Sequence, residues 1–526
     1  MAENYDVVIA GGGHNGLIAG GYLAKAGLNV CVVEHQPYLG GGVVTLECSV
    51  PGFKHDICST WHGFIQANPL LVRDELELKS KFGLKYLFPE LSLTAIFPDN
   101  RSLNFYRDVD KTCESIAQFS QKDAVAYRKF YDWSVNMLDM FTTGMYSPPS
   151  PYGAFAALMD SNPDGQELLR ATMMSGMDVI DMYFEDPHVK IALGKFVSEG
   201  MIGPNTKGTG LILFLFIPLS HKYGGGIPVG GSAELSNSLG RCIEHHGGTI
   251  KLSSTIKKFK ISGDRVSGVV LESGEEIEAS RAVISNFNIK QIPSMIEDAK
   301  DVPERFLNGV KAVNNAEFVA MNNHLALNEA PHWTCGDEAN EAMWVEMLPD
   351  DVDEFLRCFE GLTHGEPDEK LPVAITNTIF DPTRAPDGKH TLYLYCFQPY
   401  ELKKGGAAAW DEIGNDVYMG LLNNMRKYTD NMGDENILGV KTYTPLDYER
   451  HNPAWARGDF GHIGTFMWQQ NASRPMFGWG QYRMPVKDLY LCGPSTHPGL
   501  GVVGGGRAAV QVVFEDLGLD FEKIAG

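Results

Sequence analysis

Basic charge is scarce in this chain: 44 Lys and Arg stand against 66 Asp and Glu, a formal net charge of −22 over 526 residues. Nucleic acids and anionic lipid surfaces are bound through a surplus of cationic side chains, so no nucleic-acid partner is expected and membrane docking by charge alone is excluded. Paired cysteines are lacking too. The nine cysteines are odd in number, scattered and without a CxxC spacing, which argues for reduced thiols in a cytoplasmic setting and against a disulfide framework or a dithiol redox centre. Long apolar runs are missing: the most apolar, Leu211–Leu219, is interrupted by Pro218 and falls well short of the ~20 residues that span a bilayer. It reads as a buried segment or channel wall, and leaves shallow peripheral membrane contact open. The chain opens on a β-rich run rather than a basic stretch with an apolar core, so no signal peptide is expected. A metal-ligand pattern is absent as well. His245 and His246 are adjacent on a helix and point to different faces, and Asp350–Glu354 reads as the carboxylate-rich start of a helix.

What is present is an ordinary globular composition, 44% apolar and 21% charged, in a chain too long for one hydrophobic core. Tyr5–Ala10 is a short apolar β-run. Gly11-Gly-Gly-His-Asn-Gly16 follows, then a helical pattern over Leu17–Ala26, then a second β-run over Asn29–Val33 that ends at Glu34. In this order each part has a physical task. Gly11 permits the tight turn, Gly13 lets the backbone approach a pyrophosphate, and Gly16 lets the helix pack on the sheet. The unpaired N–H groups at the helix start, beside His14 and Asn15, favour the diphosphate, and Glu34 is placed to accept hydrogen bonds from a ribose. A further cluster, Gly40-Gly41-Gly42, comes shortly after Glu34-His35. It is similar to the stretch by which FAD-dependent oxidoreductases bring backbone near the flavin end of the cofactor.

Near the other end, the β-run Asp488–Gly493 leads into Pro494-Ser-Thr-His-Pro-Gly-Leu-Gly-Val-Val-Gly-Gly-Gly506 and a helical stretch from Arg507. The segment from Leu489 to Ala509 resembles the C-terminal signature of the phytoene desaturase-like flavoproteins, a family that includes carotene desaturases, carotenoid isomerases and retinol saturase. The resemblance implies that Gly493, Gly501, Val502 and Val503 line the ribityl and flavin part of FAD. A third piece agrees with it: Tyr223-Gly-Gly-Gly-Ile-Pro-Val-Gly-Gly231, a helix over Leu235–His246, and strands that follow. By the same resemblance Ile256 passes the adenine and Asn286 closes the cofactor-binding strand. Short strands are expected at 265–271, 275–277 and 282–286, with turns between them.

These segments must meet, so the expected fold is α/β: a discontinuous Rossmann-type FAD-binding domain (glutathione reductase-like) from residues 1–90, 221–295 and 440–526. An inserted α+β substrate domain takes 91–220 and 296–439. Runs at 317–327, 371–376 and 391–397 read as strands of its sheet, and 135–157 as a lid. No second strand–glycine–helix–strand–acid unit exists to hold NAD(P)H.

The resemblance implies desaturation, saturation or isomerisation of carbon–carbon bonds in a lipophilic, carotenoid-like or alicyclic substrate, with oxygen or a quinone as electron acceptor. Three rivals share the motifs: desaturation of a small cyclic ketone next to its carbonyl, amine oxidation with Trp468, Trp479 and Tyr482 as an aromatic cage, and a non-catalytic FAD-containing binding protein. Candidate acid–base residues are Asp56 and His62, which follow the glycine cluster, and His221 and Tyr223, which precede the third glycine motif. Homo-oligomerisation is compatible with the sequence.

Overall fold

A computed structural model describes residues 3–526. Strand β1 (Glu3–Ala10), helix α1 (His14–Lys25) and strand β2 (Val30–Val33) follow one another as the pattern requires. The two strands pair in parallel, Val7 opposite Val30. Val7, Val8, Ile9, Val30 and Val32 are all fully buried, as befits strands covered on both faces. Their seven-stranded sheet runs, from one edge, 256–262, 265–271, 276–285, β1, β2 and 249–251, with 489–491 also on strand 276–285. The strands at 249–251, 276–285 and 489–491 join the parallel part. The strands at 256–262 and 265–271 form an antiparallel hairpin against it. Sheet neighbours thus come from both ends and the middle of the chain.

One expectation is revised here. The strands read at 275–277 and 282–286 are a single strand, Glu276–Ser285. Along one edge its first part pairs with the hairpin and its last part with 489–491, while β1 pairs along the other edge from Ile277 to Ser285. Polar Ser280 and Arg281 sit at the exposed change of partners, where the register against β1 also shifts, and that is why the pattern looked broken.

A second seven-stranded sheet is ordered 437–443, 319–327, 390–398, 373–375, 344–347, 91–96 and 102–106. The strand at Ile437–Tyr443 belongs to this sheet, so it straddles the expected boundary at residue 440. Leu211–Lys222 is a helix containing Pro218. Among the described residues no helix is long and apolar enough to cross a membrane. The segment read as a lid forms two helices, Leu138–Met145 and Tyr152–Met159. Arg507 Nη1 and Gln511 Nε2 donate to the Tyr146 carbonyl, and Gln481 Nε2 donates to that of Pro149. The segment is thus tied to the C-terminal part of the chain, and no residue of 135–157 lines the main cavity.

Candidate functional site: a dinucleotide cleft opening into an aromatic chamber

One continuous cavity runs from the glycine turn of β1–α1 into the second sheet. At the first end are Gly11, Gly13, His14, Asn15, Glu34, His35, Gly41, Gly42 and Asn286, joined further along by Gly501 and Val502. At the other, Trp61, Phe216, Trp344, Tyr393, Tyr395 and Phe397 supply aromatic walls.

The glycine end is built by close approach of backbones. Gly40 N–H donates to Gly12 O at 2.8 Å, and Gly41, at φ +62°, lies so close that a Cβ would stand 3.2 Å from the Gly13 Cα. A Cβ on Gly16 would sit 2.7 Å from the Gly11 carbonyl, which keeps α1 tight on its strand. Glu34 is drawn to the same turn: its Oε2 accepts from Gly12 N–H at 2.6 Å, and its Oε1 accepts from Gln36 N–H at 2.8 Å and meets His35 Nδ1 at 2.8 Å. The start of α1 carries no side-chain cap. Asn15 Oδ1 accepts from Gly506 N–H, linking the starts of the two glycine-fronted helices.

These residues fit a dinucleotide. His14 Nε2 and Ser59 Oγ are buried on the cavity wall with no hydrogen-bond partner, the uncapped α1 start offers N–H groups to an anion, and Gly42 leaves open space on the cavity wall, where a Cβ would meet only Trp455 and Cys58 at ordinary contact distance.

Several expected residues lie elsewhere. Gly493 abuts Asn286 behind the wall, where a Cβ would stand 2.9 Å from Asn286 Oδ1. Val503 packs beside Ala67 and Leu138, and Ile256 lies past the point where Ser254 N–H donates to Glu34 O; neither lines the cavity. His62 is turned away from it. Its backbone bridges to Gly226, Nδ1 meets Tyr86 Oη at 2.9 Å and Nε2 meets Ser232 Oγ at 3.0 Å. Both ring nitrogens are committed, so His62 is a packing residue rather than an acid–base group, whereas its neighbours Trp61 and Gly63 face the cavity.

Asp56 is likewise a structural hub. Its carboxylate accepts from Thr45, Thr60, Ser232 N–H and Arg384 Nη1, the last at 2.5 Å, with both members of the ion pair buried. Tyr223 packs outside the cavity near Leu219 and Val503. Of the four candidates, only His221 reaches the wall. Its Nδ1 meets the Arg107 carbonyl at 3.1 Å, so that nitrogen carries the proton, and the Tyr127 hydroxyl donates to Nε2 at 2.9 Å. Burial lowers its pKa. The proposed amine cage does not assemble: Trp468 is exposed, Trp479 packs on Phe306, and the buried Tyr482 donates to His497 O.

The sequence reading missed Trp61, Tyr127, Glu199, Trp344 and the face Tyr393, Tyr395, Phe397. The last had a signal. In Thr391-Leu-Tyr-Leu-Tyr-Cys-Phe397 the aromatics fall on alternate residues and hence on one face of a strand.

Burial also sets an acid sensitivity. It lowers the pKa of His62 and His462 to about 3 and of His14, His55 and His497 to about 4. Between those values and the ordinary 6.5, the unfolded chain binds protons that the folded chain does not. Stability is therefore expected to fall as pH drops below 6.5, by up to ~1.4 kcal/mol per pH unit per histidine. The urea midpoint should decrease from pH 7 to pH 5; a flat or rising midpoint contradicts this account.

Comparison with known proteins agrees with the architecture. Residues 9–71 match the family described as an NAD(P)-binding Rossmann-like domain. The chain is 29% identical to pyridine nucleotide-disulfide oxidoreductase domain-containing protein 2 of Rattus norvegicus, over 98% of this chain and 94% of that one. It is 25% identical to one component of the limonene dehydrogenase of Castellaniella defragrans (98% and 95% covered) and 23% identical to the lycopene-forming phytoene desaturase of Pantoea ananas (97% and 99%). A putrescine oxidase variant shares the fold with a TM-score of 0.63 at 15% identity, covering 100% of this chain and 99% of its own. Fold and site together define an FAD-dependent oxidoreductase. Within that class the chain is similar to the phytoene desaturase-like flavoproteins.

Proposed function

We propose that the protein desaturates, or in the related sense saturates or isomerises, carbon–carbon bonds of a lipophilic or alicyclic substrate, with oxygen or a quinone as the final acceptor. The observation that carries this reading is the continuity of the glycine-lined cleft with the aromatic chamber. An apolar substrate placed there meets ring faces and is shielded from water. Relatives named for limonene and phytoene support a hydrocarbon-like substrate.

Bound FAD would supply a two-electron acceptor for a hydrogen that leaves carbon as hydride. The groups that would hold it are the turn Gly11–Gly16 with the start of α1 for the diphosphate, Glu34 and His35 for the ribose, and Gly41, Gly42, Asn286, Gly501 and Val502 along the rest of the cleft. The aromatic walls exclude water and orient the substrate. The FAD domain is read as 1–90, 221–295 and 444–526, with strand 437–443 assigned to the substrate part.

The test is an anaerobic visible spectrum of the FAD-loaded protein, mixed separately with limonene, phytoene, putrescine and NADH. Bleaching by an apolar probe, and by neither putrescine nor NADH, is the expected result. Bleaching by putrescine alone would install an amine oxidase instead, and prompt bleaching by NADH would make nicotinamide the electron source.

A further inference from the structure

Only two carboxylates line the cavity among the described residues: Glu34 at the glycine turn and Glu199 in the aromatic chamber. Glu199 lies just past the helix Pro187–Ser198. Its carboxylate accepts the Tyr395 hydroxyl, at 3.0 Å to Oε1 and 3.1 Å to Oε2, and pairs with Lys195 one turn earlier. Lys195 is 1% exposed, and its Nζ lies 4.8 Å from the centre of the Phe397 ring. Behind it is Glu346, wholly buried, with Oε1 3.9 Å from Lys195 Nζ. That Oε1 accepts from Trp344 Nε1 at 3.1 Å, while Oε2 has no partner.

Two carboxylates therefore share one ammonium in an apolar wall. Packing alone does not call for this arrangement, since apolar residues in such positions are commonly as stable or more so. The cluster has room for one more proton. Burial pushes Glu346 up to about 7. Burial opposes the charge on Lys195, but Glu199 and Glu346 outweigh it and hold the ammonium above its ordinary pKa.

We propose that Glu199 is the proton acceptor of the reaction, with Lys195 and Tyr395 as the residues that position its carboxylate. The assignment rests on the desaturation reading above. In that reaction one substrate carbon would give up a hydrogen with its electron pair, for which bound FAD would supply the two-electron acceptor. The neighbouring carbon gives up a proton to Glu199, and the electrons of that C–H bond become the new π bond. Glu199 ends as the neutral acid, beside an ammonium that no longer needs both carboxylates.

The first test needs no turnover. Decyltrimethylammonium presents a fixed positive charge on an apolar tail; its neutral analogue has a tert-butyl group in place of the trimethylammonium. Binding of each to the FAD-loaded protein is followed by quenching of tryptophan fluorescence, since Trp61 and Trp344 line the cavity. Glu199→Gln is expected to weaken the ammonium by about tenfold or more and to leave the neutral analogue unchanged. Equal ammonium affinity in both proteins overturns the assignment.

The second test uses whichever apolar probe bleaches the wild-type flavin. Glu199→Gln is expected to slow bleaching roughly 10²–10⁴-fold, the usual contribution of general acid–base catalysis; bleaching at the wild-type rate overturns the proposal. Tyr395→Phe removes one hydroxyl and keeps the ring, so it reports even where the glutamine variant folds poorly. Lys195, Tyr395, Glu346 and Tyr393 are ionisable groups around Glu199. Tyr395→Phe is expected to slow bleaching at saturating probe while leaving the affinity of the neutral analogue unchanged, a split that a merely structural tyrosine would not produce. If no apolar probe bleaches the wild type, the desaturation reading fails, and the ammonium comparison still decides whether Glu199 presents its charge to a ligand.

Discussion

Gly13→Val is expected to purify without flavin, with FAD content below about a tenth of wild type. The Gly13 backbone has φ −67°, which any residue can adopt, so the effect does not come from backbone strain. It comes from Asn286: a Cβ on Gly13 would stand 2.2 Å from Asn286 Nδ2. Asn286 has nowhere to retreat, because Gly11, Gly16 and Gly493 already crowd it; a Cβ on any of the three would lie within 3.5 Å of its atoms. Its own N–H donates to Ala10 O at 2.8 Å. This one side chain thus registers two distant glycine segments, Gly11–Gly16 and Gly493, against each other. Loss of FAD also removes ligand-linked stability, about 2.7 kcal/mol when ligand stands at a hundredfold excess over its dissociation constant. Gly42→Val separates the two causes. A Cβ there meets only Trp455 at 3.7 Å and Cys58 at 3.9 Å, ordinary contacts within the protein, but it enters the cavity. That variant should keep the stability of the FAD-free wild type and still bind FAD at least tenfold more weakly. Visible absorbance per mole of protein and the thermal midpoint measure both. Full flavin content in Gly13→Val would refute the registering role of Asn286.

Arg384→Ala is expected to lower stability by about 3–5 kcal/mol, the usual consequence of removing one partner from a buried ion pair. The guanidinium is 1% exposed and donates to Asp56 Oδ2 at 2.5 Å, Asp381 Oδ2 at 2.9 Å and Pro228 O at 2.6 Å. Without it, two buried carboxylates face each other uncompensated. The loss should be larger than for surface pairs such as Lys403–Glu366, where both side chains are more than half exposed and the contribution is typically ~0–1 kcal/mol. Asp381 adds a pH signature. Burial alone would raise its pKa, but hydrogen bonds from Thr383 and Arg384 outweigh burial and lower it. That stabilisation is present above the ordinary carboxylate range and is lost as pH falls through the folded value, and Arg384→Ala should remove it. Urea unfolding of the two proteins at neutral and acidic pH is the measurement; a loss under about 1 kcal/mol would mean that the pair is dispensable.

The same network explains why Asp56 was misread. Next to the flavin-facing glycines, an acid followed by Trp61-His62 has the composition of an active site. The contacts that settle its role come from Ser232, Asn377 and Arg384, residues 176 to 328 positions away, and a local pattern carries no information about partners so remote. His62 failed for a narrower reason. Its backbone bridge to Gly226 fixes which way residue 62 faces, and a one-residue change of parity puts Trp61 in the chamber and His62 behind it.

The sequence by itself determined the β1–α1–β2 unit with its glycine turn. Its determinants are local: a β-run, a glycine turn, an uncapped helix and an acid are set by short-range sterics and by the backbone's need for partners, and so they appear in consecutive residues. The strands at 265–271 and 390–398 were legible for the same reason, since alternation is a local property. The chamber was decided only by tertiary structure. Glu199, Tyr395 and Trp344 come from a helix end and two different strands, and an aromatic or acidic residue looks the same in sequence whether it fills a core or faces a substrate. Which of the two it does depends on long-range packing that brings the second sheet against the glycine loops.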